Sequence, residues 1–461
     1  MQDLKHLSSK KRLFGFGFSR TSSSNRKLTA SDEAVPRGFR LPTGKRREQL
    51  KHLLLFLAIV LGLTPVCVLI FQKAPQATKS IETWLRPRLA TPSPKAEAAK
   101  QLAPGSFETA CLLLDSATTT GDRLTGLTAG GETIQYSIQS DLQKRVHDFM
   151  ARSQVPYGVF VAIEPSTGRI LAMTAYSSAD LPWARSACFN LYPMASLFKI
   201  ITASAALETK RITPETVVEF RGKSYSENPR YWDINPRGGN SRMDVTHAMG
   251  KSINPVYGRV ASDLAGKTSL MELVHRFGFN QTLLTGTPAK ASRADEPRDD
   301  HGLKLMGAGL DHEVKISPLH AAVIMAAIAN NGLMMSPSLT DRVLDGKGTV
   351  KQTYTPRELR RLVSPETAAS LTRMLSSTVT TGTSRRAFHD RRGRPRLDVN
   401  IAAKTGSIDG RDPKGHYSWF AAFAPIKEPR IALVALVINQ DKWRIKATQV
   451  GEQALEEFFG K

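Results

Sequence analysis

Cysteine is scarce, acidic residues are outnumbered and internal repeats are missing, and each shortage removes a class of protein. Three cysteines in 461 residues, Cys67, Cys111 and Cys188, cannot build a disulfide framework, and none has a partner at a zinc-site spacing. They read as small buried hydrophobes. Only Cys111 and Cys188 stand where an extracytoplasmic domain could join them, and no spacing decides whether they pair. The ten histidines include no pair four apart around a glutamate, so the helical metalloprotease pattern is missing. Without a repeat there is no solenoid or propeller. Acidic residues number 41 against 64 basic ones, a formal net charge of +23, which draws the chain towards anionic surfaces such as lipid headgroups, wall polymers or nucleic acid. With 41% hydrophobic residues the chain is not disordered, and its length suits one principal domain with extensions.

What the chain does have begins with residues 53–71, LLLFLAIVLGLTPVCVLIF, which carry no charge. At 1.5 Å per residue such a helix spans roughly 28 Å, the thickness of a bilayer's hydrocarbon layer. The run is apolar all round apart from Thr64 and Pro65, so it reads as a transmembrane helix and not as a core helix with a polar stripe. Some fifty residues precede it, including Lys45, Arg46, Arg47 and Lys51, which is too long a leader for a cleaved signal peptide and holds the N-terminus in the cytoplasm. Residues 1–52 therefore read as a basic cytoplasmic tail able to lie on anionic lipid, in preference to a nucleic-acid-binding arm. Residues 53–72 form the membrane helix, and everything beyond lies outside the cell membrane.

Residues 73–130 are a spacer rich in proline, alanine and charge, followed by a small, weakly patterned N-terminal region. The main domain, 131–461, opens with a strand-like alternation that turns helical, placing Leu142, Val146 and Phe149 on one face. Two β-rich runs, 157–163 and 169–174, flank a Glu-Pro-Ser-Thr-Gly turn and predict a hairpin. Three more strands are predicted at 401–407, 418–423 and 430–439, before an amphipathic helix at 448–459. Between the two β groups the pattern is helical, for example at 198–208, 245–264 and 319–331. Strands at both ends with helices between them imply a sheet assembled from distant segments, an α/β (α+β layered) domain.

Three short motifs carry chemistry. Ser196-Leu197-Phe198-Lys199 opens an apolar helix, and a spacing of three puts hydroxyl and amine on one face. A serine hydroxyl needs an adjacent base, which a desolvated lysine supplies. Ser8-Ser9-Lys10-Lys11 and Ser24-Asn25-Arg26-Lys27 share the spacing, but only Ser196 starts an apolar helix, where burying a lysine is costly unless it has a task. Ser252-Ile253-Asn254 falls at a joint between two helical patterns, where a hydroxyl and an amide could relay a proton and bind a peptide. Ser226-Glu227-Asn228 and Ser23-Ser24-Asn25 match it in loop and tail. Lys404-Thr405-Gly406-Ser407 ends a strand, where a cation and hydroxyls can anchor a carboxylate and glycine admits a ligand backbone.

In this order the three motifs match the signature of penicillin-binding proteins and serine β-lactamases. The chain also resembles the transpeptidase domain of penicillin-binding proteins at 168–173 (GRILAM), 192–199 (YPMASLFK), 316–320 (ISPLH), 327–332 (AIANNG) and 419–425 (WFAAFAP), so the resemblance spans roughly 131–461. Ser407 stands where many relatives have threonine and keeps the hydroxyl. The stretch between membrane and main domain is too short for a glycosyltransferase domain, so the resemblance is to the monofunctional, class B-like type. It implies an antiparallel sheet with helices on both faces. It implies a D,D-transpeptidase acting on the D-Ala-D-Ala ends of peptidoglycan stem peptides through a serine acyl-enzyme, with β-lactams as covalent inhibitors. It assigns Ser196 as nucleophile, Lys199 as its base, Ser252 and Lys404 as proton carriers, Asn254 as holder of the acyl chain's amide, and Thr405, Gly406 and Ser407 as binders of the substrate. No metal or organic cofactor is called for. A membrane glycosyltransferase is the expected partner, the bacterial inner membrane the expected location, and wall growth in cell shape or division the expected role; nothing in the chain separates elongation, division and sporulation. A D,D-carboxypeptidase or β-lactamase shares the fold but sends water to the ester, and a non-catalytic scaffold or β-lactam sensor is the reading from another class.

Overall fold

Side-chain alternation builds the main sheet. In β1, Tyr157–Ile163, Val159, Val161 and Ile163 enter one core layer while Phe160 and Ala162 enter the other. The other strands are β2, Ile170–Tyr176, β3, Ala402–Arg411, β4, Lys414–Ala424, and β5, Ile431–Asn439. The computed structural model describes residues 103–460 except residue 122. The segment 53–71 lies outside the described residues, as do the tail and most of the spacer; among the described residues no helix is long and apolar enough to cross a membrane.

The sheet runs in the order β3-β4-β5-β1-β2, every neighbouring pair antiparallel. Every residue of β5 is buried, because helices cover both faces of its middle position, and its sequence is accordingly an unbroken apolar run up to Asn439. The predicted hairpin is present, with β2 ending at Tyr176 and not at residue 174. Its turn needs glycine: Gly168 has φ +83°, and a Cβ there would stand 2.3 Å from the Ser336 carbonyl oxygen. The β3–β4 hairpin also runs further than the sequence pattern indicates, because 409–411 carry no apolar side chain and are exposed or half-exposed yet stay paired with 414–416.

Helices cover both faces. On one side α1, Ser140–Arg152, contributes Leu142, Val146 and Met150. The partner on that side is the last helix, Ala447–Phe459, with Val450, Ala454 and Leu455. The sequence pattern predicts Phe149 on this face; it is only partly buried, and Met150 takes its place because 142, 146 and 150 keep a spacing of four. On the other side lie α2, Lys199–Glu208, α3, Val245–Lys251, α4, Asn254–Arg259, α5, Asp300–Ala308, α6, Pro318–Ala329, and α7, Pro365–Thr380. All of α6 is buried, which makes it the central helix of that layer. The antiparallel sheet with helices on both faces agrees with the expected fold.

Residues 103–136 contribute a helix, Phe107–Leu113, whose Phe107 meets Phe189 edge-on at 6.3 Å, and three strands of a second sheet completed by Thr340–Leu344 and Val350–Thr353. Arg123 and Arg169 both pair with Asp341, fastening that sheet to the hairpin.

Candidate active site

Four segments meet at the edge of β3. The first is a tight turn, Ala195–Phe198, running straight into α2. Ala195 sits at φ +53°, a conformation uncommon for a residue with a side chain. The turn is packed from both sides. A Cβ on Gly309 would stand 2.3 Å from the Ala195 oxygen, and one on Gly406 would lie 3.1 Å from the Ala195 Cβ and 3.4 Å from the Ser196 nitrogen. Glycine at 406 therefore lets β3 approach the serine turn.

Ser196 Oγ is 2.7 Å from Lys199 Nζ, as the spacing of three anticipates. Lys199 has no exposed surface, and its nitrogen also donates to Asn254 Oδ1 at 2.8 Å and to the Ala308 carbonyl at 2.6 Å. The last carbonyls of a helix have no intrahelical donor, so the end of α5 offers Ala308 O to the lysine. Gly309 closes that helix at φ +70°, and Thr202 of α2 donates to the neighbouring Gly307 carbonyl at 2.9 Å. Lys304 keeps α5 in place by pairing with Asp233 at 2.6 Å and Asp300 at 2.7 Å.

The second motif depends on a helix break. Proline at 255 cannot continue α3, since its ring would collide with the Lys251 carbonyl, so the chain turns at Ser252 (φ 57°, ψ 45°) and restarts as α4. The apparent helix 245–264 is thus two helices followed by a π-helical turn, Val260–Ala265. The break leaves Ser252 and Asn254 almost fully buried and facing the cleft. Asn254 is oriented by its own neighbours: its backbone N–H donates to Ser224 O at 2.9 Å and its Nδ2 to Ser226 O at 3.3 Å, which turns Oδ1 towards Lys199. The rival match Ser226-Glu227-Asn228 supplies this support. Its Ser226 Oγ accepts from Trp232, and Asn228 caps the turn Pro229–Tyr231.

Lys404 comes from β3, opposite Ala421, and is fully buried. Its Nζ donates to Ser252 Oγ at 2.8 Å and to the Thr405 carbonyl at 2.8 Å. Thr405 is half-buried and Ser407 exposed, so their side chains lie at the mouth of the cleft. The eight residues singled out in the sequence are thus brought together at the edge of β3, with two hydrogen-bonded groups among them: Ser196, Lys199 and Asn254, and Ser252 with Lys404.

Sequence reasoning missed Thr383. Its Oγ1 is 2.6 Å from Thr405 Oγ1, and its N–H donates to Gly250 O at 3.0 Å. A Cβ on the preceding Gly382 would stand 2.1 Å from the same Gly250 oxygen, so the turn after α7 is pressed between the second motif and the third. The string Thr380-Thr381-Gly382-Thr383-Ser384 has only the composition of a helix-ending loop, and nothing in it points to a site.

The electrostatics follow from burial. Desolvation drives Lys199 well below its ordinary 10.5, and the charge of Lys404 drives it further. Desolvation alone pushes Lys404 down to about 7. Two neighbouring ammonium groups are disfavoured in such a dry site, and burial together with the Lys404 charge pushes Lys199 towards its neutral form. A neutral amine has two hydrogens and one lone pair. Two of the three Lys199 neighbours, Asn254 Oδ1 and Ala308 O, can only accept, so they take the hydrogens, and the lone pair is left for the Ser196 hydroxyl. Such an arrangement can draw a proton from a serine as it attacks a carbonyl.

The family described as the penicillin binding protein transpeptidase domain matches residues 158–458. A peptidoglycan D,D-transpeptidase, PbpA, of Mycolicibacterium smegmatis is 28% identical over 364 residues, 71% of this chain and 71% of its own length. The crystal structure of PBPA from Mycobacterium tuberculosis superposes with a TM-score of 0.59 at 25% identity, over 70% of this chain and 81% of that one. A ceftriaxone acyl-enzyme complex of penicillin-binding protein A from the same organism gives 0.59 at 26% identity, over 70% and 79%. Matched across most of its length, and with the motifs of that signature gathered round one cleft, the chain belongs to the penicillin-binding protein transpeptidase domain family.

Proposed function

We propose that this chain is a serine-type peptidoglycan D,D-transpeptidase of the monofunctional kind. The observation that carries the reading is the buried Lys199 nitrogen, held within hydrogen-bond distance of Ser196 Oγ, Asn254 Oδ1 and the Ala308 carbonyl. Ser196 Oγ attacks the carbonyl of the penultimate D-alanine while Lys199 accepts its proton. The peptide C–N bond then breaks, and the terminal D-alanine leaves after its nitrogen receives a proton through Ser252 and Lys404. An ester on Ser196 remains. An amine of a second stem attacks that ester, loses a proton along the same path and forms the cross-link, and the Ser196 hydroxyl is restored. The second Nδ2 hydrogen of Asn254 holds the acyl chain's amide, Thr405 and Ser407 hydroxyls bind the terminal carboxylate, and backbone N–H groups of Ser196 and Ser407 receive the oxyanion.

The names of the relatives support this reading, and the acyl-enzyme described for penicillin-binding protein A of M. tuberculosis supports covalent capture of β-lactams. The boundaries read from the sequence complete the proposal. A cytoplasmic tail, 1–52, and a membrane helix, 53–72, anchor the enzyme in the bacterial inner membrane, and a linker with a small N-terminal region, 73–130, carries the transpeptidase domain, 131–461, outside it. A membrane glycosyltransferase supplies the glycan strands, and nucleic acid is no partner.

Fluorescent penicillin is expected to label the purified protein as a long-lived adduct, and Ser196→Ala to abolish labelling. A labelled alanine variant would move the nucleophile elsewhere, and rapid turnover of the adduct would make the enzyme a β-lactamase. Thr383→Val, which removes the hydroxyl that holds Thr405, is expected to slow acylation by a carboxylate-bearing β-lactam about three- to tenfold, the usual worth of one neutral hydrogen bond. Unchanged kinetics would show that Thr405 needs no such support.

A further inference from the structure

The two carbonyl oxygens on the Lys199 nitrogen come from different helices: Asn254 opens α4 and Ala308 ends α5. Both helices are tied to one loop, residues 221–240, between the paired strands Val217–Phe220 and Ser241–Asp244. That loop holds Asn254 through its Ser224 and Ser226 carbonyls. Its Trp232 is fully buried against α4, where a Cβ on Gly258 would stand 2.3 Å from the indole ring, and the indole Nε1 donates to Ser226 Oγ at 3.1 Å. The next residue, Asp233, reaches α5 and accepts from Lys304 at 2.6 Å. Alpha-5 in turn lies close against the turn that continues α4, since a Cβ on Gly307 would come within 2.2 Å of the Ala261 Cβ.

Lys304 differs from the two lysines of the cleft. Its side chain is only 8% exposed, and burial works against its charge, but the bonds to Asp233 and Asp300 outweigh burial and raise its pKa above the ordinary 10.5. It is a fixed cation and carries no proton to or from the nucleophile. Asp300 stands four residues earlier on the same helix, so its bond to Lys304 fastens α5 to nothing else. The Asp233 bond is the one that crosses from helix to loop. We propose that Asp233 is a positioning residue for acylation: by tying α5 to the loop that holds Asn254, the Asp233–Lys304 pair fixes Asn254 Oδ1 relative to Ala308 O and so aims the Lys199 nitrogen at Ser196. The geometry explains why this matters. With acceptors at 2.8 Å and 2.6 Å the lysine nitrogen has one direction left for the serine, and when the acceptors spread, its flexible stem turns away.

The inference rests on the acylating serine and its lysine proposed above, and time-resolved labelling of the full-length protein with fluorescent penicillin tests it separately. Asp233→Asn keeps the side chain's shape and leaves Lys304 paired with Asp300, so the fold is retained. It is expected to slow acylation about three- to fivefold, the upper range for a partly exposed ion pair. Asp233→Glu, which restores the carboxylate, should label within about twofold of the wild-type rate. In an Asn254→Ala background the Asp233→Asn change should cost no more than about twofold, because only Ala308 is then left to misplace. A residue that merely stabilised the fold would lower the rate by the same factor in both backgrounds, and that result would overturn the proposal. So would wild-type kinetics in Asp233→Asn, or a loss that persists in Asp233→Glu. In all three cases the wild type still takes the label and the transpeptidase reading stands. A wild type that takes no label would remove the acylating serine and the positioning role together.

Discussion

Lys199→Met is expected to lower the second-order rate of penicillin acylation by about 10³- to 10⁴-fold, the upper part of the range for a positioned general base. The argument is geometric before it is electrostatic. Three polar atoms surround the Lys199 nitrogen, and two of them, Asn254 Oδ1 and Ala308 O, have no hydrogen to give. Burial and the neighbouring Lys404 charge favour the neutral amine, and in that form its single lone pair falls to Ser196 Oγ at 2.7 Å. Lys199→Arg separates this account from one in which the residue is a fixed cation. A guanidinium keeps its proton at every working pH and has no lone pair to offer, so arginine should be as inactive as methionine. Rates within tenfold of wild type for the arginine variant, measured by time-resolved labelling of folded protein, would make Lys199 a cation and not a base.

How far the sequence reveals this site depends on the distance over which each contact acts. Ser196 and Lys199 are three apart on one helix, and local geometry brings them together. Pro255 marks the break that turns Ser252 and Asn254 inwards, and the strand predicted at 401–407 places Lys404 on β3. The tertiary supports are invisible. Ala308 contributes a main-chain oxygen, which no residue type announces, and Thr383 lies in an ordinary-looking loop that α7 carries across to Gly250 and Thr405. Spacing alone could not separate Ser252-Ile253-Asn254 from Ser226-Glu227-Asn228, because the second is its structural support and shares its polar composition. The sheet was legible from its alternation and apolar runs, whereas the polar ends of β3 and β4 pair only because each is held by the other across the hairpin.

Lys404→Met is expected to give a protein that acylates at least about a hundredfold more slowly yet melts at a higher temperature near neutral pH. Burial moves Lys404 from its ordinary 10.5 down to about 7 in the folded state. Below about pH 7 folded and unfolded chains both carry the proton, and the folded state bears the whole cost of a buried ammonium. Between about 7 and 10.5 the unfolded chain holds a proton that the folded one has released, so stability rises with pH across that window, and above it the penalty is gone. At neutral pH the penalty is on the order of 4 kcal/mol. Methionine removes it but leaves Ser252 Oγ and the Thr405 carbonyl without their donor, which gives back about 1–3 kcal/mol. A net gain of about 1–3 kcal/mol should therefore appear in melts at pH 6.5 and shrink to nothing or reverse near pH 10. A variant less stable at both values, or one whose gain ignores pH, would mean that the buried amine costs the fold nothing. The lysine would then have been retained for packing, and not for the chemistry that explains why so unfavourable a residue is kept at the edge of the sheet.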